Sequence, residues 1–152
     1  MKTTIIIGAI GALFTGVAIG IQATITSRAG SMIGDIRTGL FTNFLGGVIA
    51  GAIILLLFLR EGPQTWKIPG IIIGFVALSG LLGILIITGI SFSLQRVGIA
   101  AGLATVILGQ LILSMIVDTF GIGGVEVIPL SFQRTLGLLI MGVGVFLLLP
   151  RN

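Results

Sequence analysis

Charge punctuates this sequence. From Thr3 to Ser27, Thr38 to Leu59, Ile68 to Gln95 and Val97 to Val117 there is no Asp, Glu, Lys or Arg. Each of these intervals exceeds the roughly 20 apolar residues a helix needs to cross the hydrocarbon core of a bilayer. A fifth interval, Thr135–Pro150, is shorter. It spans only if Arg134 and Arg151 reach outward to the headgroups or the bilayer thins around it. In lipid each segment must satisfy its own backbone polar groups, so such runs take the form of helices. The expected fold is an all-α integral membrane bundle of five transmembrane helices, about residues 3–25, 36–59, 69–92, 97–118 and 133–150. These make a single membrane domain over residues 1–152.

The composition excludes the soluble alternatives. Of 152 residues 56% are hydrophobic and 8% charged, against about 25% charged in ordinary soluble domains. A soluble domain needs a charged surface, and this chain has too few charges to make one. The net charge of +4 comes from Lys and Arg scattered singly, without the basic face that nucleic-acid binding requires. No nucleic-acid partner is expected. The chain has neither cysteine nor histidine, which removes disulfides, thiolate or imidazole metal sites and Cys/His nucleophile systems. Neither a metal nor another cofactor is expected, and no constellation of residues supports an enzyme. Lys2 before an apolar run superficially resembles a signal peptide, but the run to Ser27 is too long for one and reads as a retained first helix.

Turn chemistry falls at the same cuts. Arg28-Ala29-Gly30-Ser31, then Arg60-Glu61-Gly62-Pro63 with Pro69 opening the next helix, and Gly121-Ile122-Gly123-Gly124 with Pro129 all read as connectors. The connector around Ser91–Gly98 is very short, so helices 3 and 4 should form a tight antiparallel pair. The one over Thr119–Phe132 is the longest, with room to lie partly in the membrane interface. Glycine supplies 25 residues, most of them inside the helices, where small residues let backbones approach closely in lipid. Gly16-x-x-x-Gly20, Gly47-x-x-x-Gly51, Gly70-x-x-x-Gly74 and Gly98-x-x-x-Gly102 predict a tightly packed bundle, either static or with sliding surfaces.

Orientation in a membrane follows mainly from Lys and Arg in short loops, which favour the cytoplasmic side. Five spans place Lys2, Arg60, Lys67 and Arg134 on one face and Arg28, Arg37, Arg96 and Arg151 on the other. Four against four leaves no bias. A chain without preference inserts both ways, and two oppositely inserted copies can form an antiparallel homodimer of ten helices. Such a dimer reproduces the inverted repeat found inside many transporters. The expected partners are therefore a second copy of the chain, the lipid bilayer and an unidentified small-molecule substrate.

Several runs carry a family likeness. They are Gly20-Ile21-Gln22-Ala23-Thr24-Ile25, Gly46, Trp66 ahead of Gly70 and Gly74, and Leu108-Gly109-Gln110-Leu111 with Asp118-Thr119-Phe120-Gly121, followed by Pro129-Leu130, Arg134 and Gly137. Together they resemble the five-helix YdcZ-type family of the drug/metabolite transporter (DMT) superfamily, nearly end to end. The likeness implies a half-size bacterial inner-membrane transporter that occurs as a dual-topology homodimer, an opposite-topology pair or half of a fused chain. This sequence departs from the family in having Thr26 where an Asn is usual and Arg96 in a connector that is more often apolar. The small multidrug branch of the superfamily keeps a Glu in mid-helix 1; none stands here, which argues against cation/proton exchange of that kind.

Polar side chains in hydrocarbon are costly, so those that persist face neighbours or a wet cavity. Gln22 near the end of helix 1, Asn43 in helix 2 and Gln110 near the middle of helix 4 are the candidate substrate-lining residues. The alternative for each is an interhelical amide contact. Asp118 ends helix 4. It either pairs with Arg134 in the same loop or, partly buried, carries protons for coupled transport. Most of the hydroxyls at membrane depth, among them Thr15, Thr42, Thr88, Ser91 and Thr105, should bond their own helix backbone. The expected function is transport of a small solute by alternating access across an antiparallel dimer. The alternatives are a dual-topology channel and a non-transporting structural subunit.

Overall fold

The computed structural model describes residues 2–63 and 66–151. It contains five helices, α1 (Lys2–Ile33), α2 (Asp35–Glu61), α3 (Gly70–Val97), α4 (Ile99–Phe120) and α5 (Phe132–Leu148), with no strand among the described residues. At a rise of about 1.5 Å per residue, α1 to α4 run from roughly 33 to 48 Å, and each exceeds a hydrocarbon core of about 30 Å. Those four are long and apolar enough to cross a membrane. With 17 residues, α5 reaches only about 25 Å.

Two helix ends differ from the sequence expectation. Helix α1 continues through Arg28-Ala29-Gly30-Ser31 to Ile33, and α3 continues through Arg96 to Val97. A single glycine makes each joint to the next helix, Gly34 with φ 89° and Gly98 with φ 83°. A charge can remain helical by pointing to the headgroups. What ends a helix is a backbone angle, and this positive φ is one that a side chain resists and glycine adopts freely. Both joints have the same bonds. Gly34 N–H donates to Gly30 O and Thr38 N–H to Gly34 O, while Gly98 N–H donates to Leu94 O and Gly102 N–H to Gly98 O. Dipole placement is favourable too, with Asp35 in the first turn of α2 and Arg60 and Arg96 in the last turns of α2 and α3.

The chain divides into two compact units, Ile21–Phe92 and Met1–Gly20 with Ser93–Asn152. In the first, α2 lies against α3. A methyl group built on Gly39 would overlap Thr88 Oγ1 and lie 3.0 Å from the Ile84 carbonyl oxygen, and one on Gly83 would lie 2.8 Å from Asn43 Oδ1. In the second, α4 packs on α5, and Leu94 fills the space beside Gly102. Among the described residues the buried side chains are Ala23, Thr26, Thr38, Ile90, Ser91, Leu94, Ala101 and Val145. Large aliphatic and aromatic side chains are exposed along all five helices, from Leu13 and Phe14 to Phe146. Water would not tolerate so much apolar surface, but lipid accepts it.

The spaced glycine pairs do not make the close contacts within the chain. Around Gly16, Gly20, Gly47, Gly51, Gly70 and Gly74 a Cβ would meet nothing within 4 Å among the described residues, and only Gly102 of those motifs is tightly packed. The close approach of α2 to α3 occurs instead at Gly39 and Gly83, which stand outside them.

Candidate functional site

The loop from α4 to α5 is fastened at both ends. Asp118, in the last turn of α4, accepts from Arg134 Nη2 in the first turn of α5, and Arg134 Nη1 donates to the Ile128 carbonyl at 3.0 Å. The Ile128 N–H returns a bond to Asp118 O at 2.9 Å. Ser131 caps α5 by accepting from the Arg134 N–H, so one residue is both held by the cap and used as the clamp. The two charged side chains are 31% and 28% exposed, sheltered enough for their attraction to exceed that of a surface pair. Replacing Asp118 with Ala leaves Arg134 without its counter-charge and should destabilise the chain in detergent by about 1–3 kcal/mol. In the double-mutant cycle with Arg134→Gln, a coupling energy above roughly 1 kcal/mol is expected. A coupling below about 0.3 kcal/mol would show that the pair contributes nothing.

Beside this clamp a groove of about 260 Å³ runs between α4 and α5, lined by Leu111, Met115, Arg134, Gly137, Leu138 and Met141. Arg134 is its one charged lining residue, and that guanidinium is already bound to Asp118 and Ile128. A second groove of about 450 Å³ is lined by Ile112, Leu139, Gly142 and Phe146 among others, all apolar. These surfaces suit hydrocarbon, and neither offers a free polar group to orient a solute.

The polar groups of the other unit gather where α2 begins and α3 nears its end. Ser91, fully buried, donates to Asp35 Oδ1 at 2.6 Å. Thr38, also buried, donates from Oγ1 to the Gly34 carbonyl. Asn43, half-buried one turn on from Gly39, donates from Nδ2 to the Gly39 carbonyl at 2.9 Å and sets its Oδ1 against Gly83 of α3. Its amide therefore serves the α2–α3 contact. Most hydroxyls at this depth are expected to bond their own helix, and the Ser91 hydroxyl also reaches across to Asp35 on α2. Thr15 and Thr105 do bond back four residues, to Gly11 and Ala101. The signal for Asp35 and Ser91 was weak, because a carboxylate at a helix start and a hydroxyl 56 residues later carry no spacing that links them.

Gln22 and Gln110 are exposed, and neither makes a hydrogen bond among the described residues. Leu108, Ile112, Met115 and Thr119 line the grooves on the α5 side of α4. At about 100° per residue, Gln110 lies on the opposite face from them. Gln22 and Asn43 belong to one unit and Gln110 to the other. Among the described residues no group of three or more Asp or Glu side chains could hold a metal ion.

No curated protein and no solved structure matches the chain. Residues 7–147 match the family described as "Putative inner membrane exporter, YdcZ". With the match covering nearly the whole chain, and four helices apolar and long enough to cross a bilayer, this protein belongs to the YdcZ family of the DMT superfamily, multi-pass transporters of the inner membrane.

Proposed function

We propose that two copies inserted in opposite directions form a ten-helix carrier that moves a small neutral or weakly polar organic solute by alternating access. The observation that carries this reading is the equal division of Lys and Arg, four to each face, which gives the chain no reason to prefer one orientation. Further support comes from the outward surface. Gly16, Gly20, Gly47 and Gly51 are open to close approach, and backbones associate in lipid through such positions. Gln110, exposed at membrane depth on the face of α4 away from α5, and Gln22 on α1 are polar groups that a second copy would cover and that a solute could bond. Asn43, the third candidate lining residue, would first have to give up its place against Gly83. Export is the direction this reading takes, in keeping with the words of the family's description.

The test is flux in liposomes. Purified protein should give saturable, exchange-type transport of a member of a metabolite library first screened by thermal shift. Gln110→Leu should lower transport kcat/KM roughly tenfold, the loss of about one hydrogen bond to the solute. Absence of saturable flux for every compound that shifts the melting temperature would count against a carrier.

A further inference from the structure

We propose that the segment from Phe120 to Phe132 is a folded membrane-interface surface whose partner is the headgroup–acyl boundary of the bilayer, and that the Asp118–Arg134 pair lies beneath it. A connector bathed in water is normally polar. This one exposes Phe120, Ile122, Val127, Ile128, Leu130 and Phe132, with Phe132 at 80% and Phe120 at 73% exposure, and its single charge is Glu126.

Helix length gives an independent reason. At about 25 Å, α5 falls roughly 5 Å short of the hydrocarbon core. Its far end has a cation to mark the water boundary, because the Arg151 guanidinium folds back over the Phe146 ring, 5.8 Å from the centroid, and such a charge seeks the headgroups. The missing thickness then falls at the loop end, where the apolar residues are.

Irregular backbone cannot enter hydrocarbon with unmet hydrogen bonds, but it can lie at the boundary if it meets part of its own demand. Here Ile122 N–H donates to Val117 O, Gly124 N–H to Gly121 O and Ile128 N–H to Asp118 O, while Ile128 O accepts from Arg134. Arg134 would be costly below the headgroups as a free charge. Its salt bridge to Asp118 neutralises it there. The clamp thus allows a cation three residues inside a short span and fixes the shape of the surface above it. None of this requires a dimer or a transport cycle, only that α4 and α5 span.

The chain has no cysteine, so single-cysteine variants take a nitroxide label at one place. Labels at Val127→Cys, Ile128→Cys and Leu130→Cys, in vesicles of phosphatidylethanolamine and phosphatidylglycerol, would be read by power-saturation EPR against oxygen and a water-soluble nickel complex. This readout of depth is independent of which way the chain faces. The oxygen-to-nickel ratio at these sites is expected to exceed that at Arg60→Cys, in the last turn of α2 next to the polar connector, by at least about threefold. Leu113→Cys on α4 reports the span itself. An oxygen-biased Leu113 together with loop labels as nickel-accessible as Arg60 would overturn the interface surface while leaving the membrane span intact.

Discussion

Removing Arg28 and Arg37 together should lock the chain in one orientation and abolish its transport when expressed alone. Both side chains are exposed, and neither has an ion pair among the described residues, so glutamine at each leaves the fold in place. The cation count then becomes two against four, and the face carrying the N-terminus and the α2–α3 connector should turn to the cytoplasm. Arg60→Gln with Lys67→Gln produces the reverse bias. If opposed copies are required, each double variant alone should lose at least roughly tenfold of the flux, and coexpression of the two should restore it. Topology reporters fused to the N-terminus give the orientation, and liposome flux gives the activity. Full activity from either variant alone, with its terminus on one side only, would remove the antiparallel dimer and leave a parallel or monomeric carrier.

Gly39→Ala is expected to be the most damaging single methyl in the chain. The added carbon would overlap Thr88 Oγ1 and lie 3.0 Å from Ile84 O and 3.2 Å from Thr88 N. A hydroxyl can rotate away, but the backbone of α3 cannot, so α2 must move. Overpacking of this kind costs about 1–3 kcal/mol, and here it also disturbs the Asp35–Ser91 and Asn43–Gly83 contacts on either side. Thr88→Ala in the same chain should recover only part of the loss, because the carbonyl of Ile84 remains in the way. Gly47→Ala is the comparison, since nothing lies within 4 Å of its Cβ position and alanine favours a helix by up to about 1 kcal/mol. Thermal unfolding in a detergent that separates any associated copies should distinguish the two variants clearly. Equal melting temperatures would mean that the α2–α3 contact is looser than its geometry indicates.

That contrast marks how far the sequence could be read. A Gly-x-x-x-Gly search selects Gly47 and passes over Gly39, because spacing along one helix says nothing about what lies opposite. Gly39 is critical because of Thr88 and Ile84, residues that sequence places far away. Asn43 shows the same limit. As an amide in an apolar run it is a natural candidate to line a solute path, and only the position of Gly83 reveals that its oxygen lies against α3. Asp118 and Arg134 were easier to relate, because they bound one connector whose ends are held close by the packing of α4 on α5.

By itself the sequence determined the helices, the solvent and the family. Those follow from hydropathy and from the cost of exposed backbone in lipid, which act on every residue locally and leave their record in composition and spacing. It also determined the even division of cations, a matter of counting. The tertiary structure decided where α1 and α3 end, because charge does not break a helix and only the backbone angles at Gly34 and Gly98 do. It decided that Ser91 reaches Asp35, that Asn43 lies against Gly83, and that the helix contact falls at Gly39. Close packing depends on which surfaces meet, and that is a property of two segments together which neither one records alone.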